Sequence, residues 1–237
     1  VQGYTRRELK EDKFAEKAQG AMSWATDHGR TMIMALIGLL IVVVVVAGLM
    51  AWNSRQTDEA NIALSKAMRT FTAQLRPAGT PANETMQSFT SIAERGREAE
   101  KEFKDVSDKY PYTKPAKLAA YMAGAAALQA GDAGDAEKLL KSAADSRDHD
   151  IASLAKLALA TVYRSSNRTA DAAKVYKDLA DNPTNTVSKP QAQLALAEMY
   201  ESSDPKEAAS IYQQIQKESP NTPAAQIAAS KSAAGAK

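Results

Sequence analysis

The chain has no cysteine, so disulfide staples, cysteine-based zinc sites and thiol nucleophiles are all excluded. It has only two histidines, His28 and His149, far apart in sequence, each read as a solvated turn residue and not as a base or a ligand. Aromatic residues make up 6% of the chain while alanine is abundant, a balance that favours thin, closely packed helices over β-sheet. A strong charge of one sign is also missing. The net charge is +2 with 24% charged residues, which gives no basic stripe of the kind that nucleic-acid binding requires. Paired catalytic groups, a strand-linked glycine loop and a metal-ligand spacing are absent as well, so the reading is a non-enzyme with no cofactor and no metal. The two glycines of GDAGD (131–135) follow a helical pattern and not a strand, and their neighbouring aspartates are expected to cap the next helix. The Asn83-Glu-Thr and Asn167-Arg-Thr triplets match a glycosylation acceptor pattern and are read as coincidence.

What the chain does have, first, is an uncharged run from Thr31 to Trp52 containing twelve Leu, Ile or Val residues. As a helix it would be roughly 33 Å long, enough for a hydrocarbon core of about 30 Å. Those twelve side chains favour insertion by about 4–7 kcal/mol. Arg30 and Arg55 bracket the run, and Trp24 and Trp52 stand where interfacial rings would. A cleaved leader would have a shorter apolar stretch and no long polar tail before it, so a retained anchor is expected. The tail over 1–30 carries six Lys/Arg and five acidic residues; basic residues near the run are almost equal on its two sides, and the short, more basic tail favours a cytoplasmic N-terminus with the C-terminal domain across the membrane. Ala47 and Ala51 form a small-xxx-small pair that would admit a second membrane helix.

The remainder is repetitive. GDAGDAEKLLKSA, SNRTADAAKVYKDL and SDPKEAASIYQQI align at an offset of 36 residues and share small–large–apolar positions: Ala136/Leu140/Ala143, Ala172/Tyr176/Leu179 and Ala208/Tyr212/Ile215. An earlier helix in each unit repeats Gly124, Ala160 and Ala197, followed three residues later by Ala127, Tyr163 and Tyr200. Pro115, Pro190 and Pro205 fall at expected helix starts, and Pro183 and Pro220 after expected helix ends. A less regular first unit carries Ala99, Phe103, Val106 and Pro111. Its partner helix is expected over 57–76, with a break at RPAGTPAN (76–83). Small residues at facing positions let two antiparallel helices approach while the large ones fill the space beside them, and such pairs stack into a solenoid.

These units resemble tetratricopeptide repeats, although the usual early Trp and Leu are missing and the 36-residue period is about two longer than usual. With its anchor and tail, the whole chain is similar to the ancillary Sec-translocon subunit family (YfgM type). That resemblance implies an inner-membrane protein with a periplasmic repeat domain, working with the Sec translocon and a periplasmic chaperone on newly exported clients.

The expectation is therefore an all-α chain: a polar tail (1–30), one transmembrane helix (31–52), a tetratricopeptide-like solenoid of about four helix pairs (53–223), and a capping helix or frayed tail (224–237). Its function is expected to be that of a membrane-anchored protein–protein interaction scaffold. The alternative is an assembly factor that organises a cell-envelope or division complex by self-association. In such repeats the first helices line the concave face, which puts Leu118, Tyr121, Leu128, Gln129, Leu154, Thr161, Arg164, Gln191, Glu198 and Glu201 there. The Lys and Asn that other repeats use to clamp a terminal carboxylate are replaced here by Tyr121/Ala125 and Leu157/Thr161.

Overall fold

The computed structural model describes residues 29–77, 79 and 87–235. The tail ahead of Gly29, with Trp24 and His28, most of the 76–83 break, and the Asn83 triplet lie outside the described residues. The chain divides into two compact units at Ser54/Arg55.

The first unit holds the whole apolar run. Helix α1 spans Gly29–Phe71, and its most apolar window has a mean hydropathy of 3.1 with 0% of it buried. Leu36, Leu40, Val44 and Leu49 are each about three-fifths exposed. A core helix of a soluble domain would hide these side chains, so this stretch of α1 is not a core segment, whereas Ala60 and Ala67 near its far end are buried. It is long and apolar enough to cross a membrane.

The second unit is a succession of helices, α2 (Ile92–Lys109), α3 (Lys114–Ala130), α4 (Ala133–Ala144), α5 (His149–Ser165), α6 (Thr169–Asp181), α7 (Lys189–Tyr200), α8 (Pro205–Glu218) and α9 (Pro223–Gly235). Each packs on the next, and α3 also meets α5 as α7 meets α9. This is the nearest-neighbour pattern of a repeat array. The facing positions read from the sequence are interior: Ala136, Leu140, Ala172, Tyr176, Ala208, Tyr212 and Ile215 are all buried. Helix α9 closes the series, with Ala224, Ala225 and Ala228 buried. The first pair has its own core, in which Phe103 meets Phe71 edge-on with ring centroids 5.9 Å apart.

Local chemistry sets the boundaries. Asp132, Asp148 and Asp204 each accept a hydrogen bond from an amide three residues on, satisfying a first-turn donor of α4, α5 and α8. Ser91 caps α2 in the same way, and Glu94 reaches back to the Thr90 amide at 2.8 Å, a reciprocal capping pair. Pro115, Pro190 and Pro205 stand in first turns, where a missing N–H costs nothing.

Two expectations need correction. The helix expected to reach residue 76 stops at Phe71, because the Thr72 hydroxyl turns back onto the Met68 carbonyl and the chain enters a two-residue strand. That strand, β1 (Gln74–Leu75), pairs in parallel with β2 (Ser88–Phe89). Arg95 secures the corner by donating to the Ala73 carbonyl at 2.8 Å and to Gln129 Oε1 at 3.2 Å. A guanidinium there faces the ends of two helices, where cations are favoured. The second correction concerns His149, which begins α5 directly behind its cap, Asp148, instead of lying in a connector.

The turn from α3 to α4 requires a left-handed residue. Gly131 has φ 83°, and one period later Asn167 has φ 57° in the turn from α5 to α6. A Cβ added at Gly131 would meet nothing within 4 Å, so Gly131→Ala carries only the backbone penalty. It should lower stability by about 1 kcal/mol. In chemical denaturation the midpoint should fall without a change in slope.

Candidate functional site: a face built from the first helices

Helices α3, α5 and α7 present the residues singled out for binding, and the structure sorts them. On α3, Leu118 and Tyr121 are half-buried, and Tyr121 packs against the main core with its phenol raised above its usual pKa by burial. Leu128 also rests on that core. Gln129 is held by Arg95, as described above, and so belongs to the α2–α3 joint.

On α5, Leu154 packs with Leu157 against Leu179, Val187 and Ala192, which makes it part of the joint with the following pair. Thr161 is exposed, and its hydroxyl returns to the Leu157 carbonyl at 3.3 Å. Arg164 is exposed and no hydrogen bond or ion pair of its guanidinium occurs among the described residues. The same holds for the side chains of Gln191 and Glu198 on α7.

Glu201, at the end of α7, is engaged. It accepts from the Tyr212 hydroxyl at 2.8 Å and pairs with Lys231 of α9 at 3.1 Å. These contacts lower its pKa, the Tyr212 hydrogen bond most, while burial and Glu201 push the Tyr212 phenol well above its ordinary range. Glu201 is thus a strut between α7, α8 and α9. The freely presented set is Thr161, Arg164, Gln191 and Glu198, with the half-buried Leu118 and Tyr121 beside them. In α1, Ala47 and Ala51 are exposed.

The sequence did not point to a second cluster. Glu137 of α4 accepts from Lys141 at 2.6 Å and from Arg168 at 2.9 Å, and Arg168 lies 4.2 Å from the Tyr163 ring centroid. The pair with Lys141, and next that with Arg168, lowers the Glu137 pKa, while Glu137 and Asp171 raise that of Arg168. Of these contacts only the i,i+4 spacing of Glu137 and Lys141 and the i,i+3 spacing of Arg168 and Asp171 are visible in one dimension. The cluster ties one repeat to the next and borders a groove of about 520 Å³. Its charges are matched within it, so it works as a joint.

As chemistry, these surfaces offer hydrogen bonds, charge and apolar area. Among the described residues no group of three or more His, Asp or Glu comes together in a way that could hold a metal ion.

The model of a tetratricopeptide repeat-like domain matches residues 22–179, well over half of the chain, and that of a tetratricopeptide repeat matches residues 157–223. The chain belongs to the tetratricopeptide repeat-like family. No curated protein and no solved structure matches it. Tetratricopeptide repeats are interaction modules, typically non-catalytic, and this repeat protein is accordingly a protein–protein interaction scaffold.

Proposed function

We propose that α1 anchors this tetratricopeptide repeat protein in a bacterial inner membrane, and that its repeats, on the periplasmic side, serve the export channel as an ancillary subunit handling newly exported proteins. The observation that carries this reading is the wholly exposed apolar window of α1, attached to an interaction module. An anchor holds a binding face near emerging chains and raises its effective concentration, so each contact can stay weak and reversible. In this reading the binding face comprises Leu118, Tyr121, Leu128, Thr161, Arg164, Gln191 and Glu198, with Gln129 and Glu201 bracing its edges, and Ala47 and Ala51 meet a partner's membrane helix.

Photoreactive residues placed at Tyr121 or Arg164 in intact cells are expected to capture translocon subunits, a periplasmic chaperone or exported clients. Capture of cytosolic proteins alone would overturn the reading. Self-association into an envelope assembly is favoured by one observation, the exposure of Ile62 (71%) and Ile92 (51%) on the first helix pair. A fixed oligomer of the full chain in detergent, with no crosslinked export components, would move the conclusion there.

A further inference from the structure

The chain that follows the apolar run and helix α2 lie antiparallel in one register. Arg95 donates to the Ala73 carbonyl at 2.8 Å, Lys66 meets Glu102 at 2.8 Å, and the Tyr110 hydroxyl donates to Glu59 Oε2 at 3.3 Å. Each step of seven residues back from Ala73 is matched by seven or eight forward from Arg95. Carried on, this register sets Tyr112, in the turn from α2 to α3, level with Gln56, four residues past Trp52. Four residues rise about 6 Å as helix and span at most about 14 Å however they are drawn out. The headgroup layer on each side of a hydrocarbon core is about 5–8 Å deep. The α2–α3 turn is thus held within reach of that layer whenever the apolar run fills the core.

The turn presents a ring there. Tyr112 is 82% exposed, more than any other large apolar side chain among the described residues, and its hydroxyl makes no hydrogen bond among them. Pro111 beside it is exposed as well. This exposure does not come from a loose turn. Tyr110 and Thr113 on either side are buried, and the Thr113 amide and hydroxyl donate to the Tyr110 carbonyl at 3.0 and 2.9 Å. Thr113 Oγ1 also caps α3 by accepting from the Ala116 N–H at 3.3 Å. Both ends of the turn are held, and the two residues between them face outward. A tyrosine suits an interface, because its ring is apolar while its hydroxyl stays wet. Charge is not what the turn offers, since Lys109 and Lys114 are offset by Glu59 and Asp108.

We infer that the α2–α3 turn seats Tyr112 and Pro111 in the headgroup layer of the bilayer that α1 crosses, on the same side as Trp52. The repeats then touch the membrane at a second point and no longer swing freely over its surface. The inference rests on α1 crossing a membrane but not on the export channel, and it uses a surface distinct from Arg164, Gln191 and Glu198.

The test exploits the absence of native cysteine. The full chain with Lys114→Cys, carrying a small fluorophore on that one thiol beside the ring, is reconstituted into phosphatidylcholine vesicles that contain headgroup-nitroxide lipid. Ser210→Cys, at an exposed site on α8, gives the reference. Val44→Cys, read with acyl-chain nitroxide lipid, reports separately on α1. Headgroup quenching at position 114 should exceed that at 210 about threefold or more, and Tyr112→Glu in the same chain should remove most of the excess. Tyr112→Trp should keep it. Tyr112 is exposed and has no partner to lose, so the melting temperature should hold in both variants. Raising the salt should change nothing, because a ring and not a charge makes the contact. Equal quenching at 114 and 210, indifference to Tyr112→Glu, or loss of quenching in salt would each overturn the inference alone, provided that the label at 44 is quenched. No quenching at 44 would bring down the membrane anchor and this inference with it.

Discussion

Gly96→Ala should destabilise the repeat unit by about 2–3 kcal/mol, although alanine is the better helix former by about 1 kcal/mol. The reason is the approach of α2 to α3. A Cβ on Gly96 would lie 2.5 Å from the Ala130 nitrogen, 2.8 Å from the Ala126 oxygen and 2.9 Å from the Gln129 carbonyl carbon. All three are backbone atoms, which cannot swing aside as a side chain can. The two helices would have to separate, loosening Ala99 and Ala126 and the bond from Arg95 to Gln129. For a domain of this size the thermal midpoint should drop about 2–4 °C per kcal/mol, readable by circular dichroism. Gly134→Ala is the matching control. Its Cβ would have a single neighbour, Asp132 Oδ1, at 3.5 Å, an ordinary contact. There the helix preference should prevail and stability should rise by up to about 1 kcal/mol. Equal responses at the two glycines would mean that close packing does not govern the α2–α3 joint.

The second large effect is reciprocal. Leu140 of α4 sits over Gly124 of α3, where an added Cβ would come within 2.6 Å of Leu140 Cγ and 2.7 Å of Cδ2. Leu140 is fully buried, so Leu140→Ala should cost about 2–5 kcal/mol through lost burial and the cavity left behind. Gly124→Ala should cost about 1–3 kcal/mol by overpacking. The double variant places one methyl where the leucine withdrew, so its loss should be smaller than the sum of the single losses by about 1 kcal/mol or more. Strict additivity in denaturant unfolding would show that the small and large positions do not act as a matched pair.

That pairing explains why so much of the architecture was legible in one dimension. Gly124 and Leu140, Ala160 and Tyr176, and Ala197 and Tyr212 obey a spacing that survives projection onto the chain, and prolines and aspartates mark the helix starts by local chemistry. The apolar run was legible for a similar reason, because twelve Leu, Ile and Val residues without a charge leave few alternatives. The end of α1 was not legible. Helical composition continues past Phe71, and the turn depends on Thr72 and on a strand partner fourteen residues away. The face was legible only as a helix surface. That Gln129 is taken by Arg95, Leu154 by Val187 and Glu201 by Lys231 follows from contacts between units, which carry no sequence period.

One consequence of the α9 contacts concerns growth of the array. Ala224, Ala225 and Ala228 cover the last pair with small side chains alone, and Lys231 fastens the cover through Glu201. A terminal lid of that kind asks little of the pair beneath it. A unit could therefore be gained or deleted beneath the lid during evolution, lengthening or shortening the reach of the repeats while every remaining joint kept its fit.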